Sequence, residues 1–227
     1  MAAFPWRRKL VFLPTLLLLV VGLIAGIVQS LRFESRLPRI ALDYGWYLSA
    51  LRERGDNEDF VHGMQVAIAI DDGLDGAGGE KILGGIYSDE RRFVEASEHY
   101  RRAAALNPQD GETQLLLGTA LLQLNRFEEA IQHLVRARDL RPEAPEVRLN
   151  LGLALAQSDR LPEAVAEFET LVRLQPQSAR HHSVLAMALH GSGRLSEALQ
   201  HCQEALRLEP NNPQLQRQCE QIAQAQP

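Results

Sequence analysis

This chain of 227 residues carries 29 acidic and 24 basic side chains, which gives a formal net charge of −5. That balance provides no broad positive surface for phosphates, so nucleic acid is excluded as an expected ligand. The sequence also lacks the G-x-S-x-G and H-E-x-x-H motifs, and no enzyme class has positive support.

An uncharged apolar run occupies residues 10–28 and is long enough to cross a bilayer as a helix. Trp6 and the basic residues Arg7, Arg8 and Lys9 precede it, as interfacial anchors do. A cleaved signal peptide is the alternative, but its apolar core would be shorter and no A-x-A-like cleavage site is present. We therefore predict that residues 1–30 form a basic flank and a retained transmembrane anchor, in contact with lipid through residues 10–28.

The orientation of this anchor follows from the basic residues at its ends. Three precede the run and three follow it, at Arg32, Arg36 and Arg39. The two flanks are therefore nearly equal in basic residues, and the positive-inside rule gives little preference for either orientation. A short basic N-terminus usually stays inside. Arginine also outnumbers lysine, 22 to 2, as in GC-rich bacterial genomes. We predict a bacterial inner-membrane protein with its C-terminal part in the periplasm. Gly22 and Gly26 form a G-x-x-x-G pair that permits close helix contact, which leaves a homodimer as an alternative to a monomer.

Residues 31–76 contain two shorter amphipathic stripes, separated by a turn-like segment over residues 54–57. We predict a degenerate helical hairpin here, with a helix lying on the lipid surface as the alternative. A flexible Gly- and Asp-rich joint over residues 71–79 follows. The apolar side chains of the two stripes are Leu37, Ile40, Ala41, Tyr44, Tyr47, Leu48 and Leu51, and then Phe60, Met64 and Ala67.

A repeat of 34 residues begins at residue 77, within this joint, and a period of that length indicates stacked helix–turn–helix units. It is marked by prolines at repeat position 32, namely Pro108, Pro142, Pro176 and Pro210. Small residues recur at positions 8 and 20, where two antiparallel helices approach closely, and position 24 fills the space beside them. Position 8 is Gly84, Gly118, Gly152 and Ala186; position 20 is Ala96, Ala130, Ala164 and Ala198; position 24 is Tyr100, Leu134, Phe168 and Cys202.

These positions resemble the tetratricopeptide repeat (TPR) family over residues 77–210, with a capping helix over residues 211–227. The resemblance implies an all-α fold, a right-handed superhelix of helical hairpins, with second helices beginning near Arg126, Arg160 and Arg194. The predicted hairpin of residues 31–76 would cap its N-terminal end. The chain departs from the family at position 4, where tryptophan is preferred, and this departure is expected to weaken individual repeats. The residues at position 4 are Glu80, Gln114, Arg148 and His182.

The resemblance also implies that positions 2, 5, 6, 9, 12 and 13 of the first helices line a concave groove for a protein partner. The carboxylate clamp of chaperone-binding members is absent, since Gly85 and Leu116 replace asparagines and Glu146 replaces a base. The groove is mixed and rather apolar, which favours an amphipathic helix or an extended peptide. The candidate partner-binding residues are Leu116, Thr119, Leu122, Asn150, Leu153, Arg180 and Met187.

Histidines and cysteines give no catalytic or metal constellation. Histidine recurs at position 23, as His99, His133 and His201, where we predict an exposed place on the second helix. No carboxylate or cysteine lies at ligand spacing, so neither a metal nor a cofactor is expected. Cys202 and Cys219 fall on core positions of adjacent helices. They are either two small buried hydrophobes or, outside the cytoplasm, a disulfide.

The sequence therefore predicts binding rather than chemistry. The favoured function is a membrane-anchored adaptor or scaffold that recruits or stabilises a protein complex at the cell envelope. One alternative is an integral accessory subunit of a larger membrane assembly. Another is an assembly factor for secretion, envelope biogenesis or cofactor maturation. A catalytic role has the least support.

Overall fold

The computed structural model describes residues 76–225. The predicted membrane anchor of residues 1–30, the Gly22/Gly26 pair and nearly all of the predicted hairpin of residues 31–76 lie outside the described residues. Among residues 76–225, no helix combines the length and the apolar character that a bilayer crossing requires.

The described residues form an all-α solenoid of nine helices, and no strand occurs between residues 76 and 225. Each repeat is a hairpin of two antiparallel helices, and the first helix of each following hairpin packs on the second helix of the one before it. A final single helix closes the array. The helices are α1 (Gly76–Asp89), α2 (Phe93–Leu106), α3 (Gly111–Gln123), α4 (Phe127–Leu140), α5 (Pro145–Gln157), α6 (Leu161–Leu174), α7 (Ala179–Gly191), α8 (Leu195–Leu208) and α9 (Pro213–Gln224).

The second helices begin where the repeat register predicts. Arg126, Arg160 and Arg194 each occupy the position immediately before α4, α6 and α8. Each guanidinium makes two hydrogen bonds of 2.6–2.7 Å with a glutamate three residues later, in the first turn of the helix. The acidic side chain also suits the positive end of the helix dipole. The glutamates are Glu129, Glu163 and Glu197.

Close contact within each hairpin depends on matched side-chain sizes at positions 8 and 24. A Cβ atom placed on Gly118 would lie 2.5 Å from Leu134 Cγ, so any larger residue there would overlap the leucine. In the fourth repeat the glycine is replaced by Ala186, and the residue opposite it is the smaller Cys202, which is fully buried. The alanines at position 20 have no exposed surface in any of the four repeats. The predicted core positions are therefore confirmed.

The array ends in α9, as the sequence predicts. Asn212 caps this helix, and its side chain accepts hydrogen bonds from the backbone N–H groups of Gln214 and Leu215. Leu215 packs into a small apolar cluster with Ala179 and Ala205 from the preceding hairpin. Because only Leu215 and Ile222 of α9 are buried, most of this helix presents polar side chains to water.

The predicted flexible joint is wrong where the structure describes it. Residues 76–79 form the first turn of α1 instead of a loop. Glycine disfavours a helix by about 1 kcal/mol relative to alanine, but this turn is held against α2. The Cβ position of Gly76 lies 3.4 Å from Leu106 Cδ1, and Glu80 is buried just after the turn. Tertiary packing therefore overrides local propensity.

Candidate functional site

All seven candidate residues lie on first helices, three on α3, two on α5 and two on α7. We refer to the row of first helices as the wall. Side chains from neighbouring first helices, or from the residue that caps one, bond each other at three places along this wall. Lys81 Nζ lies 3.2 Å from Asp110 Oδ2 and 2.9 Å from Glu112 Oε2, Asn150 Nδ2 donates to Thr119 Oγ1 at 2.8 Å, and Ser183 Oγ donates to Gln218 Oε1 at 2.7 Å.

A fixed polar pair occupies the middle of the wall. Thr119 Oγ1 donates within α3 to the carbonyl of Leu115 at 2.8 Å and accepts the hydrogen bond from Asn150 on α5. This pair holds the Asn150 side chain in one orientation. Its Oδ1 atom takes no part in the bond, and a carbonyl oxygen of this kind accepts from a backbone N–H. The structure thus brings two of the predicted residues together.

Apolar side chains lie on either side of this pair. Met187 on α7 is 59% exposed and Ile82 on α1 is 44% exposed, so both present apolar surface to water. Leu116, Leu122 and Leu153 are half-buried, so part of each serves the packing of the array. Ile82 was not among the candidate residues, although it occupies position 6, the same repeat position as Leu116 and Asn150.

Charge differs between the two ends of the wall. At the α1 end, Lys81 is held by two carboxylates, and the hydrogen bond with Glu112 is the main reason why its pKa is raised. Burial opposes ionisation of Asp110, but hydrogen bonds from Thr113 and Lys81 keep the pKa of its carboxyl below the ordinary value. At the other end, Arg180 is exposed on α7. The wall therefore combines an ion-paired end, a polar centre and a basic end.

The predicted exposure of position 23 is wrong. His99 is buried, and His133 and His201 are half-buried, because each ring contacts the position 4 side chain that lies 19 residues earlier in the same hairpin. The third repeat has the same arrangement as the first with the two residue types exchanged, so that a basic residue stands at position 4 and an acidic one at position 23. The four pairs are Glu80–His99 at 2.5 Å, Gln114–His133 at 2.8 Å, Arg148–Glu167 at 2.6 Å and His182–His201 at 3.0 Å.

Position 4 makes a second recurrent bond, to the carbonyl oxygen of the proline six residues earlier. This contact ties the first turns of α3, α5, α7 and α9 to the loops that precede them. The polar residues at position 4 thus have a structural role in place of the tryptophan that the family prefers. The bonds are Gln114–Pro108 at 3.4 Å, Arg148–Pro142 at 3.3 Å, His182–Pro176 at 3.0 Å and Gln216–Pro210 at 2.9 Å.

The two cysteines form a disulfide that joins α8 to α9, with their Cα atoms 5.6 Å apart. Of the two alternatives that the sequence left open, the structure has the bonded one. Within the described part of the chain, no three histidine, cysteine or acidic side chains are grouped so that they could hold a metal ion.

Sequence comparison identifies the family. Profiles of the tetratricopeptide repeat match residues 87–139, 115–179 and 149–213, which together cover more than half of the chain. The chain therefore belongs to the tetratricopeptide repeat family. No curated protein matches it.

Solved structures show the same fold at low sequence identity. The chain is similar to YrrB, described as a TPR protein with an unusual peptide-binding site, with a TM-score of 0.71, 22% identity, and 80% of this chain and 92% of YrrB covered. It is also similar to MamA from Desulfovibrio magneticus RS-1, with a TM-score of 0.68, 17% identity and coverage of 76% and 97%. PilF of Pseudomonas aeruginosa gives a TM-score of 0.63, 24% identity and coverage of 82% and 84%.

Proposed function

We propose that this protein is a membrane-anchored adaptor, in which the wall of first helices holds a segment of a protein partner. The observation that carries the proposal is the wall itself. It presents Ile82 and Met187 to solvent at two separate points, with the Asn150–Thr119 pair between them. Exposed apolar side chains with a few fixed polar groups between them are the chemistry expected of a surface that binds a protein segment.

The chemistry of the wall favours a partner segment with spaced apolar anchors. An amphipathic helix or an extended peptide would place such anchors against Met187, Leu153 and Ile82. A polar group of the same segment would meet Asn150, whose amide is already oriented by Thr119. The likeness to YrrB, a protein with a peptide-binding site, supports a peptide-like ligand for this surface.

The envelope location is supported by two independent features. The apolar run of residues 10–28 is long enough to cross a bilayer and is preceded by basic residues. The disulfide between Cys202 and Cys219 persists in oxidising compartments such as the bacterial periplasm and is rare in a reducing cytoplasm. Together they favour an inner-membrane anchor with the repeats on the periplasmic side.

Anchoring predicts that the protein resists extraction from membranes by alkaline carbonate. The full-length chain should stay in the pellet, because the apolar run keeps about 19 residues in the hydrocarbon core. The double variant Leu17→Arg/Leu18→Arg should shift to the soluble fraction, since each arginine costs about 2.5–3.5 kcal/mol at the centre of a membrane helix. Release of the unaltered full-length protein would refute the anchor while leaving the groove proposal open.

A further inference from the structure

Two imidazole rings face each other inside the fourth hairpin. His182 on α7 and His201 on α8 have their Nδ1 atoms 3.0 Å apart, and the ring centroids are separated by 5.3 Å. His182 is 6% exposed and His201 is half-buried. This is the one position 4/position 23 pair in the described repeats that is built from two histidines.

The second bond of His182 fixes where the protons lie. Its Nε2 atom is 3.0 Å from the carbonyl oxygen of Pro176, which only accepts, so Nε2 carries a hydrogen. In the neutral ring Nδ1 is then an acceptor, and it takes a hydrogen bond from Nδ1–H of His201. One proton lies between the two Nδ1 atoms. A doubly protonated pair would place two N–H groups against each other and lose the bond.

The charged groups around the pair offer little compensation. Arg180 and His181 neighbour it from α7, and α9 reaches the region through the uncharged Gln218 and the disulfide-bonded Cys219. The nearby carboxylates of α6 and α8 are already held by arginines. These ion pairs are Glu169–Arg194, Glu197–Arg194 and Glu204–Arg207.

We propose that the His182–His201 pair makes the fourth repeat acid-sensitive. Full protonation would separate α7 from α8. It would also displace the end of the wall that α7 forms, with Arg180, Ser183 and Met187. The adaptor would thus loosen its hold on a partner segment as the surroundings become mildly acidic. This device is additional to the proposed binding function and does not depend on the identity of the partner.

The direction of the pH dependence follows from linkage. Burial, and then the neighbouring His182, lower the pKa of His201, and burial together with Arg180 lowers the pKa of His181. In the unfolded chain these rings titrate near pH 6.5. Below that pH the unfolded chain binds more protons than the folded one, so stability is complete above about pH 6.5 and falls as the pH decreases from there.

The chain supplies its own controls. Residues 145–178 of the third repeat contain no histidine, and their position 4/position 23 pair is Arg148–Glu167. In the second repeat the same positions hold Gln114 and His133, with Gln114 Nε2 bonded to the proline carbonyl and Oε1 bonded to the ring. The substitution His182→Gln therefore converts the fourth pair into the second, with equivalent hydrogen bonds.

Hydrogen exchange of the full-length protein in mild detergent, followed by mass spectrometry at pH 7.5 and 5.5 and corrected for intrinsic rates, reports local opening. The ordinary pKa values of Asp and Glu lie below this range and that of His lies within it. We expect the opening equilibrium constant of residues 179–208 to rise about tenfold, the scale of one lost buried hydrogen bond, while residues 145–178 change less than about twofold. In His182→Gln the rise in residues 179–208 should be several-fold smaller.

Equal changes in the third and fourth repeats would overturn the proposal, as would a tenfold rise that persists in His182→Gln. If residues 179–208 of His182→Gln are already open at pH 7.5, the variant His201→Gln is measured instead. Its side-chain amide donates to Nδ1 of His182, and the substitution removes one of the two protonatable rings. A pH response equal to that of the unaltered protein in this second variant would likewise overturn it.

Discussion

Truncating Phe168 to alanine is expected to lower the free energy of unfolding by about 3–5 kcal/mol. The ring is 1% exposed and is the largest fully buried side chain among the described residues. It lies directly over Gly152, where a Cβ atom would be 2.8 Å from Cδ1 of the ring. Because the ring faces a glycine, that side offers no side chain to fill the cavity. Urea unfolding followed by far-ultraviolet circular dichroism measures the loss.

The matched control for this prediction is Phe168→Leu. It reproduces the second repeat, where Leu134 covers Gly118. It should cost clearly less than Phe168→Ala, about 1–2 kcal/mol, because leucine retains most of the buried apolar volume. Equal unfolding midpoints for Phe168→Ala and the unaltered protein would mean that positions 8 and 24 do not pack against each other as described.

The second large effect is expected at the groove. Met187→Glu should reduce recovery of the protein partner about thirtyfold, which corresponds to a loss of roughly 2 kcal/mol at an interface anchor. The reason is that a charge would replace the most exposed apolar side chain of the wall, at 59% exposure. The array itself should remain folded, since exposed substitutions usually change stability by less than about 0.5 kcal/mol. Quantitative pull-down with tagged full-length protein measures the ratio.

Val94→Glu is the matched control for Met187→Glu. Val94 is 55% exposed, nearly as much as Met187, but it lies on the second helix α2, away from the wall. This variant should recover the partner normally. Loss of recovery in Val94→Glu with retention in Met187→Glu would place recognition on the second helices.

The sequence was sufficient for the parts of the fold that depend on local rules. The 34-residue period placed the starts of α4, α6 and α8 after Arg126, Arg160 and Arg194, and the structure confirms all three. The capping helix predicted over residues 211–227 is confirmed as α9, which Asn212 caps and Pro213 begins, as helix-start preferences favour. Small residues at positions 8 and 20 identify the close helix contacts in the sequence, because such contacts tolerate nothing larger.

The pairing of positions 4 and 23 could not be predicted from local rules. Its members are 19 residues apart and on different helices, so neither helical periodicity nor a short motif connects Gln114 with His133. The available indication was that both positions are polar in every repeat, which is unexpected for places beside the core. Comparison with the family drew attention to the missing tryptophan instead of to the pair that replaces it.

Two further features required the structure for different reasons. The sequence put Cys202 and Cys219 on adjacent helices, but whether two thiols bond depends on a Cα separation that only coordinates give. For the candidate groove, the repeat register assigned side chains to the wall, including Asn150. It did not predict that Thr119, on the first helix of the preceding repeat, would orient that amide. Contacts between repeats lie beyond what a single register can specify.

Photocrosslinking in living cells tests the central claim, that the wall of first helices holds a protein partner, most directly. Gln123 ends α3 on the wall and Gln132 lies on α4 of the same repeat, and both are exposed glutamines. With a photoreactive amino acid at either position of the full-length protein, we predict a discrete adduct from position 123 that disappears when Met187→Glu is added, and none from position 132. An adduct from position 132 alone, or one from position 123 that persists with Met187→Glu, would contradict the account.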